Sequence, residues 1–201
     1  MTVKINLNIF IFIVFFYFTK QIDIYYTLII FAILHELGHL VIGILLGYKP
    51  KKITLMPYGM SLDFGNINNN NKKNLIIALA GPFINLFVVL ICVFFNIHSE
   101  LVIYSNILLG LFNMIPIYPL DGGRVLKELL HIKYGIKTSI KYTYITSNIV
   151  TIIISILGII CIYMSKNIAI LLILMYLWIL LIIENKKYKF KIKIYDKLYW
   201  K

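Results

Sequence analysis

The fold of this chain is decided by the segment from Tyr25 to Gly47, which reads YYTLIIFAILHELGHLVIGILLG. It is long enough to cross a bilayer as a helix, because a span needs about 20 apolar residues. Three polar side chains interrupt it, at His35, Glu36 and His39. An ionisable group near the bilayer centre costs about 2.5 to 3.5 kcal/mol by insertion scales, so such residues are normally retained for function. The segment therefore predicts a membrane helix that carries a chemical site.

The composition of the whole chain also indicates a membrane protein. Of its 201 residues, 61% are hydrophobic, whereas soluble domains contain roughly 45 to 50% apolar residues. Six apolar runs are candidate spans: Val3 to Phe18, Tyr25 to Gly47, Leu75 to Phe95, Leu101 to Leu120, Tyr142 to Met164 and Ile168 to Ile183. The first has a signal peptide as its alternative, but Thr19-Lys20-Gln21 offers no small-residue cleavage pattern. We predict an all-α membrane protein, a polytopic bundle of about six transmembrane helices. Its membrane domain covers residues 1–185 and a basic cytosolic tail covers 186–201.

The basic residues predict the orientation of this bundle. If both termini are cytosolic, 18 of the 20 basic residues lie in cytosolic segments, and only Lys20 and Lys166 lie outside. That split fits the positive-inside rule. Topology therefore explains the net charge of +12 without a nucleic-acid partner, and the tail is expected to contact anionic headgroups of the lipid bilayer. We expect a multi-pass protein of a bacterial cell membrane.

The segment at residues 51–65 differs from the apolar runs. Pro57 and Gly59 interrupt it and apolar residues alternate around them, a pattern typical of a short β-hairpin or a re-entrant strand pair. Such a pair has an edge to which a substrate segment can be added as a further strand. An interfacial loop is the alternative, and the sequence does not separate the two. Asn66 to Asn74 is expected to be a polar connector.

The polar residues in the second apolar run have the spacing of a metal site. Positions four apart on a helix share a face, so His35 and His39 can present their imidazoles to one ion while Glu36 projects beside them. A zinc hydrolase requires this arrangement: two imidazoles and a third protein ligand hold Zn²⁺, and a water takes the open position. Glu36 is then the candidate general base. A chance match is the alternative, but it leaves three polar groups in an apolar helix unexplained.

The third ligand must come from elsewhere, and Asp121 is the best candidate. It lies in the segment from Asn113 to Arg124, NMIPIYPLDGGR. Pro116 and Pro119 stop a continuous helix, and the two glycines after Asp121 allow a tight turn, so a broken helix can deliver the carboxylate. Alternatively, Asp121 is the N-cap of a helix that runs to Leu130.

Two amides in apolar surroundings, Asn85 and Asn113, are further candidates. A buried amide needs hydrogen-bond partners. Each can bind the substrate backbone or stabilise the oxyanion of a tetrahedral intermediate, or each can simply bridge two helices. We favour the functional role for Asn113 and leave the two roles open for Asn85.

These motifs resemble those of the site-2 proteases, intramembrane zinc metallopeptidases that cleave within or near transmembrane segments. Three matches carry the resemblance: His-Glu-Leu-Gly-His at residues 35–39, Gly-x-x-x-Asn at 81–85 and Asn-x-x-Pro-x-x-x-x-Asp-Gly at 113–122. The resemblance implies that the zinc ligands are His35, His39 and Asp121, with Glu36 as the general base. It also implies a membrane-associated protein as the substrate.

Within that family, the compact layout and the wording PIYPLDGGR at residues 116–124 are similar to the stage IV sporulation FB type. That similarity implies a sporulation sigma-factor precursor as the substrate and membrane inhibitor or regulator proteins as partners. We expect neither control through a nucleotide-sensing CBS domain nor an inserted PDZ-like domain. Two other classes stay open, a metal-ion transporter and a non-catalytic membrane scaffold. Glu36 favours the enzyme, because a transporter has no need of a base beside its first ligand.

Overall fold

The computed structural model describes residues 2–5, 13–14, 16–18, 20, 22–56, 59–63, 70–165 and 169–199. Within these ranges lie three strands and six helices, in the order β1 (Thr2–Ile5), α1 (Ile22–Leu45), β2 (Lys52–Met56), β3 (Gly59–Asp63), α2 (Asn71–Phe94), α3 (Glu100–Asn113), α4 (Asp121–Tyr134), α5 (Ile136–Ser165) and α6 (Ala169–Tyr199). The chain divides into two compact units, residues 1–114 and 115–201.

Helices dominate the described residues, and three of them, α1, α2 and α5, are long and apolar enough to cross a membrane. α3 is apolar but has only 14 residues. The prediction of a helical membrane protein is confirmed. α6 continues to Tyr199, so the described part of the expected tail is helical, and the division at residue 185 stays a prediction.

In the first unit, the strands form one sheet in the order β1-β2-β3. β2 and β3 are antiparallel, with Lys52 opposite Asp63, which confirms the expected hairpin at residues 51–65. β1 pairs with the other edge of β2 in parallel, with Thr2 opposite Lys52. A parallel pair needs a long crossover connection, and α1 lies within that connection.

The first apolar run is where the expected span differs from the structure. A span that begins at Val3 is wrong, because Thr2–Ile5 is a strand paired with β2. Residues 13–14 and 16–18 are helical, and the rest of that expected span lies outside the described residues. The polar connector is also shorter than expected, because α2 begins at Asn71, where the Asn70 side chain accepts a hydrogen bond from the N–H of Lys73.

The core of the first unit is a close contact between α1 and α2. Gly38 on α1 is buried, and a Cβ built there would lie 2.7 Å from Ile84 Cγ1 and 3.0 Å from the Ala80 carbonyl oxygen. Small residues at such a point let two membrane helices approach closely. The Lys73 ammonium donates to the Leu46 carbonyl oxygen at 3.0 Å, which ties the beginning of α2 to the end of α1.

In the second unit, polar and aromatic pairs join α5 to α6. The rings of Tyr144 and Tyr188 stack with centroids 3.9 Å apart. The side-chain amides of Asn148 and Asn185 pair with each other, and the Asn185 amide donates to Asn148 Oδ1 at 3.1 Å. Trp178 Nε1 donates to Ser155 Oγ at 2.9 Å. These contacts hold together the two helices that follow α4.

Candidate metal centre

His35 and His39 lie one helical turn apart on α1, and both are almost fully buried, with exposures of 3% and 2%. Their imidazole planes are nearly perpendicular, and the two Nε2 atoms are 3.2 Å apart. Glu36 follows His35 directly and is half-buried. The predicted convergence of the two imidazoles is therefore present within α1 itself.

Hydrogen bonds to the Nδ1 atoms determine which nitrogen of each ring carries the proton. His35 Nδ1 lies 2.5 Å from Asn85 Oδ1, and His39 Nδ1 lies 2.6 Å from the Ile77 carbonyl oxygen. Oxygen atoms of this kind only accept, so each Nδ1 must donate. The Gly81 N–H also points towards His39 Nδ1, at 3.3 Å, but the shorter contact with a carbonyl oxygen decides the assignment. In the neutral form of each ring, Nε2 therefore presents a lone pair.

This arrangement fits a zinc ion. Two lone pairs 3.2 Å apart repel each other unless a proton or a cation lies between them. Zinc binds imidazole nitrogens at about 2.0 to 2.1 Å with tetrahedral angles, which puts two such nitrogens about 3.3 Å apart. Metal-bound imidazoles also normally donate their second N–H to a carbonyl or an amide oxygen. The spacing and the outer hydrogen bonds therefore both suit the ion.

Gly81 on α2 leaves the space in which the imidazoles meet. A Cβ at this position would collide with the Nε2 atoms of both His35 and His39. Only a residue without a side chain can bring α2 this close to the ring edges. The Gly-x-x-x-Asn element thus contributes its glycine as space and Asn85 as the hydrogen-bond acceptor of His35.

In the second unit, Asp121 is the first residue of α4 and is buried, with an exposure of 5%. The helix N-cap is Leu120, which makes no side-chain cap hydrogen bond, so the alternative of Asp121 as the N-cap is wrong. Arg124 Nη1 lies 3.7 Å from Asp121 Oδ1, and the arginine side chain is 47% exposed.

The segment before Asp121 is held against α4 and α5 by two contacts. The Tyr118 N–H donates to Ser147 Oγ on α5 at 2.9 Å. On α4, a Cβ added to Gly123 would collide with the backbone at Ile117 and Tyr118. Ile117 itself is fully buried. The broken helix predicted from the two prolines is present, because α3 ends at Asn113 and α4 begins at Asp121.

Two known protein families match this chain. A family described as Peptidase M50B-like matches residues 8–120, more than half of the chain. The chain belongs to this family. A second family, described as Peptidase family M50, matches residues 98–157 of the M50B-like chain.

Individual relatives agree with the family assignment. The M50B-like chain is 34% identical to a zinc metalloprotease of Methanocaldococcus jannaschii over 63% of its own length and 39% of that protein's. It is 26% identical to stage IV sporulation protein FB of Bacillus subtilis over 49% and 37% of the two lengths. The chain thus spans about two fifths of these relatives.

A solved structure, the site-2 protease from Methanocaldococcus jannaschii, matches the fold with a TM-score of 0.68 at 24% identity. The match covers 89% of this chain and 88% of that one. The resemblance to site-2 proteases is confirmed.

The structure describes the two candidate amides of the M50B-like chain and adds a third. Asn113 donates to the Leu109 carbonyl oxygen of its own helix at 3.0 Å. Asn85 is 1% exposed, contacts His35 and donates to Asn106 Oδ1 at 3.0 Å. The oxyanion or substrate role stays a prediction for both candidates. Asn106 was not among the residues predicted from sequence, although an amide inside the apolar run Leu101 to Leu120 was a usable signal.

Proposed function

We propose that this chain is an intramembrane zinc metalloprotease that hydrolyses a peptide bond in a membrane-associated protein. The observation that carries the proposal is the pair of buried Nε2 lone pairs on His35 and His39, 3.2 Å apart. Each ring is oriented by a hydrogen bond at its other nitrogen. An apolar membrane helix has no structural need for two such rings, whereas a metal centre does.

The proposed ligands of the ion are His35, His39 and Asp121. Each offers one donor atom of a type that zinc takes in catalytic sites, two imidazole nitrogens and one carboxylate oxygen. Asp121 supplies the carboxylate of this set, and its exposure of 5% suits a ligand in a site shielded from solvent.

Zinc bound to these ligands would supply Lewis-acid chemistry and a water of lowered pKa. In the proposed reaction, Glu36 accepts a proton from the attacking water and passes it to the amide nitrogen of the departing segment. The water oxygen ends in the new carboxylate, and the peptide C–N bond breaks. The hydrogen bonds from their Nδ1 atoms to Asn85 and to the Ile77 carbonyl oxygen keep the rings of His35 and His39 in place.

A helical substrate must unwind, because a hydrogen-bonded helix hides its carbonyl groups from attack. β3 lies at an edge of the sheet, and an edge strand pairs readily with an extended segment. We therefore propose that β3 holds the opened substrate strand. A disulfide cross-link between Ser61→Cys and a cysteine near the scissile bond tests this role, with Thr54→Cys on the central strand β2 as the control.

A sporulation sigma-factor precursor is the proposed substrate, supported by the similarity to stage IV sporulation protein FB. Membrane inhibitor or regulator proteins are proposed as further partners. The charge distribution supports the orientation with both termini cytosolic, as the positive-inside rule requires. The site would then draw its water from the cytosolic side.

The decisive experiment compares wild type with Glu36→Gln in purified protein. Bound zinc is measured by elemental analysis, and cleavage is measured on membrane-tethered substrates that include a sigma-factor precursor. We expect Glu36→Gln to keep its zinc and to lose cleavage by about 10²- to 10⁴-fold. Glu100→Gln, the same change at an exposed position on α3, is the control and should cleave normally.

Three results would overturn the proposal. Equal cleavage by wild type and Glu36→Gln would show that Glu36 is not the general base. Zinc flux into liposomes that Glu36→Gln leaves intact, together with no cleavage by either protein, would favour the transporter. Zinc binding and substrate binding with neither cleavage nor flux would favour the scaffold.

A further inference from the structure

A chain of hydrogen bonds runs from His35 through two amides to the backbone of α3. His35 Nδ1 contacts Asn85 Oδ1 at 2.5 Å, Asn85 Nδ2 contacts Asn106 Oδ1 at 3.0 Å, and Asn106 Nδ2 contacts the Val102 carbonyl oxygen at 2.9 Å. Asn85 and Asn106 are each 1% exposed. The chain joins α1, α2 and α3 through polar atoms shielded from solvent.

The direction of this chain is determined at its far end. The Val102 carbonyl oxygen can only accept, so the amide nitrogen of Asn106 must face it. The oxygen of Asn106 then faces Asn85, whose own amide nitrogen must donate to it. This leaves Asn85 Oδ1 directed at His35, and the imidazole must carry its proton on Nδ1. The Val102 carbonyl oxygen on α3 thereby determines that the neutral ring of His35 has its lone pair on Nε2.

We propose that Asn106 is a positioning residue for the metal centre, acting on His35 through Asn85. The inference rests on the proposed function, because it assumes that His35 Nε2 binds a metal ion. It assigns Asn85 the same kind of task, since both its oxygen and its nitrogen are engaged by protein groups. Outer contacts of this kind hold the ring and its tautomer and raise the affinity for the metal.

The fold contains a matched control for this arrangement. Asn148 on α5 donates to the carbonyl oxygen four residues before it, that of Tyr144, at 2.7 Å, and it accepts from Asn185 on α6. Asn106 makes the same two kinds of bond, to Val102 four residues before it and from Asn85. The difference is that only the Asn106 pair continues to an imidazole. Asn106 is fully buried and Asn148 is half-buried, so the two pairs are compared by zinc affinity and not by stability.

The test measures zinc affinity by competition with a chelator in full-length detergent-solubilised protein, together with thermal unfolding. Asn106→Leu should lower zinc affinity by about 10- to 100-fold, the usual effect of removing an outer contact. Asn148→Leu should lower the unfolding temperature and leave zinc affinity at the wild-type value.

A double-mutant cycle separates a relay from two independent effects. Because Asn106 is proposed to act through Asn85, Asn106→Leu should cause no further loss in an Asn85→Leu background. If Asn106→Leu does not fold, Asn106→Ser, whose hydroxyl is too short to reach Asn85, replaces it in both measurements and should also weaken zinc binding.

The outcomes distinguish this inference from the proposed function. Wild-type protein that binds no zinc would overturn both. Wild type that binds zinc, with Asn106→Leu and Asn148→Leu equal to it in affinity, would overturn only the positioning role. Additive losses in the cycle would likewise contradict a path through Asn85.

Discussion

Gly81 on α2 lies directly against the imidazole of His39 on α1, and a single added methyl group would occupy the position of the ring edge. The same methyl group would also meet His35 Nε2. The two histidines and this glycine belong to different sequence motifs, so the site depends on the packing of α1 on α2 and not on the helix with the histidines alone.

Replacement of Gly81 by alanine should therefore abolish tight metal binding. The new Cβ has no space, so the imidazoles must rotate away from their hydrogen bonds with Asn85 and the Ile77 carbonyl oxygen. We expect zinc affinity to fall at least about tenfold, the lower end for loss of outer contacts. Chelator competition measures the loss. Gly110→Ala, whose Cβ would meet only Asn85 Cβ at an ordinary 3.5 Å, should bind zinc normally; equal affinity of the two variants would contradict this account of Gly81.

Gly123→Ala should destabilise the segment that leads into Asp121. Its Cβ would collide with backbone atoms of Ile117 and Tyr118, which cannot rotate away as a side chain can. We expect the free energy of unfolding to fall by about 1 to 3 kcal/mol, as for other overpacked sites, and thermal unfolding in detergent measures it. At the control position, Gly158→Ala, the nearest atoms belong to the Leu174 side chain, so a smaller change is expected there. The explanation fails if Gly158→Ala is the more damaging of the two.

Ser147→Ala tests whether the backbone before Asp121 needs its hydrogen bond to α5. The substitution leaves the part-buried Tyr118 N–H without its acceptor, and loss of such a hydrogen bond costs about 0.5 to 1.5 kcal/mol. If Asp121 is a zinc ligand, the same change should also weaken zinc binding. Ser155→Ala, which removes the acceptor of Trp178 Nε1 on the same helix, should reduce stability without weakening zinc binding. Unchanged zinc affinity in Ser147→Ala would count against the role of Asp121.

Thr143→Val should stabilise the protein. Thr143 is 4% exposed and lines a cavity of about 50 Å³ with Ser147 and Tyr118. Among the residues that the structure describes, its hydroxyl has no hydrogen-bond partner. Replacing the hydroxyl by a methyl group removes an unsatisfied polar atom, so the free energy of unfolding should rise by about 1 kcal/mol. A lower melting temperature would show that the hydroxyl makes a bond in solution.

Local patterns predicted the parts of the site that depend on a single segment. The spacing of His35 and His39 is enough to put both rings on one helix face, and the prolines before Asp121 are enough to end α3 and restart the chain as α4. Pro57 and Gly59 likewise indicated the hairpin. In each of these cases the controlling interaction lies within a few residues of the motif.

Features that depend on distant contacts were not predictable in the same way. The sequence of β1 resembles the beginning of an apolar span. Its strand conformation depends on pairing with β2, which lies about 50 residues further along the chain. The contacts of Asn106 become visible only when α3 packs against α2. The alternative of Asp121 as an N-cap followed a sound local rule. In the structure, however, Asp121 is already the first residue of the helix, and Leu120 is the N-cap.

The close packing of Gly38 against the Ala80 carbonyl group limits how α1 and α2 can move. At Gly38 and at Gly81 the two helices lie so close together that a side chain would not fit between them. Sliding α1 along α2 by one residue, about 1.5 Å, would therefore push side chains of one helix into the backbone of the other. We therefore expect α1 and α2 to move as one rigid body. Under the proposed function, access of a polypeptide substrate would therefore depend on elements other than this helix pair.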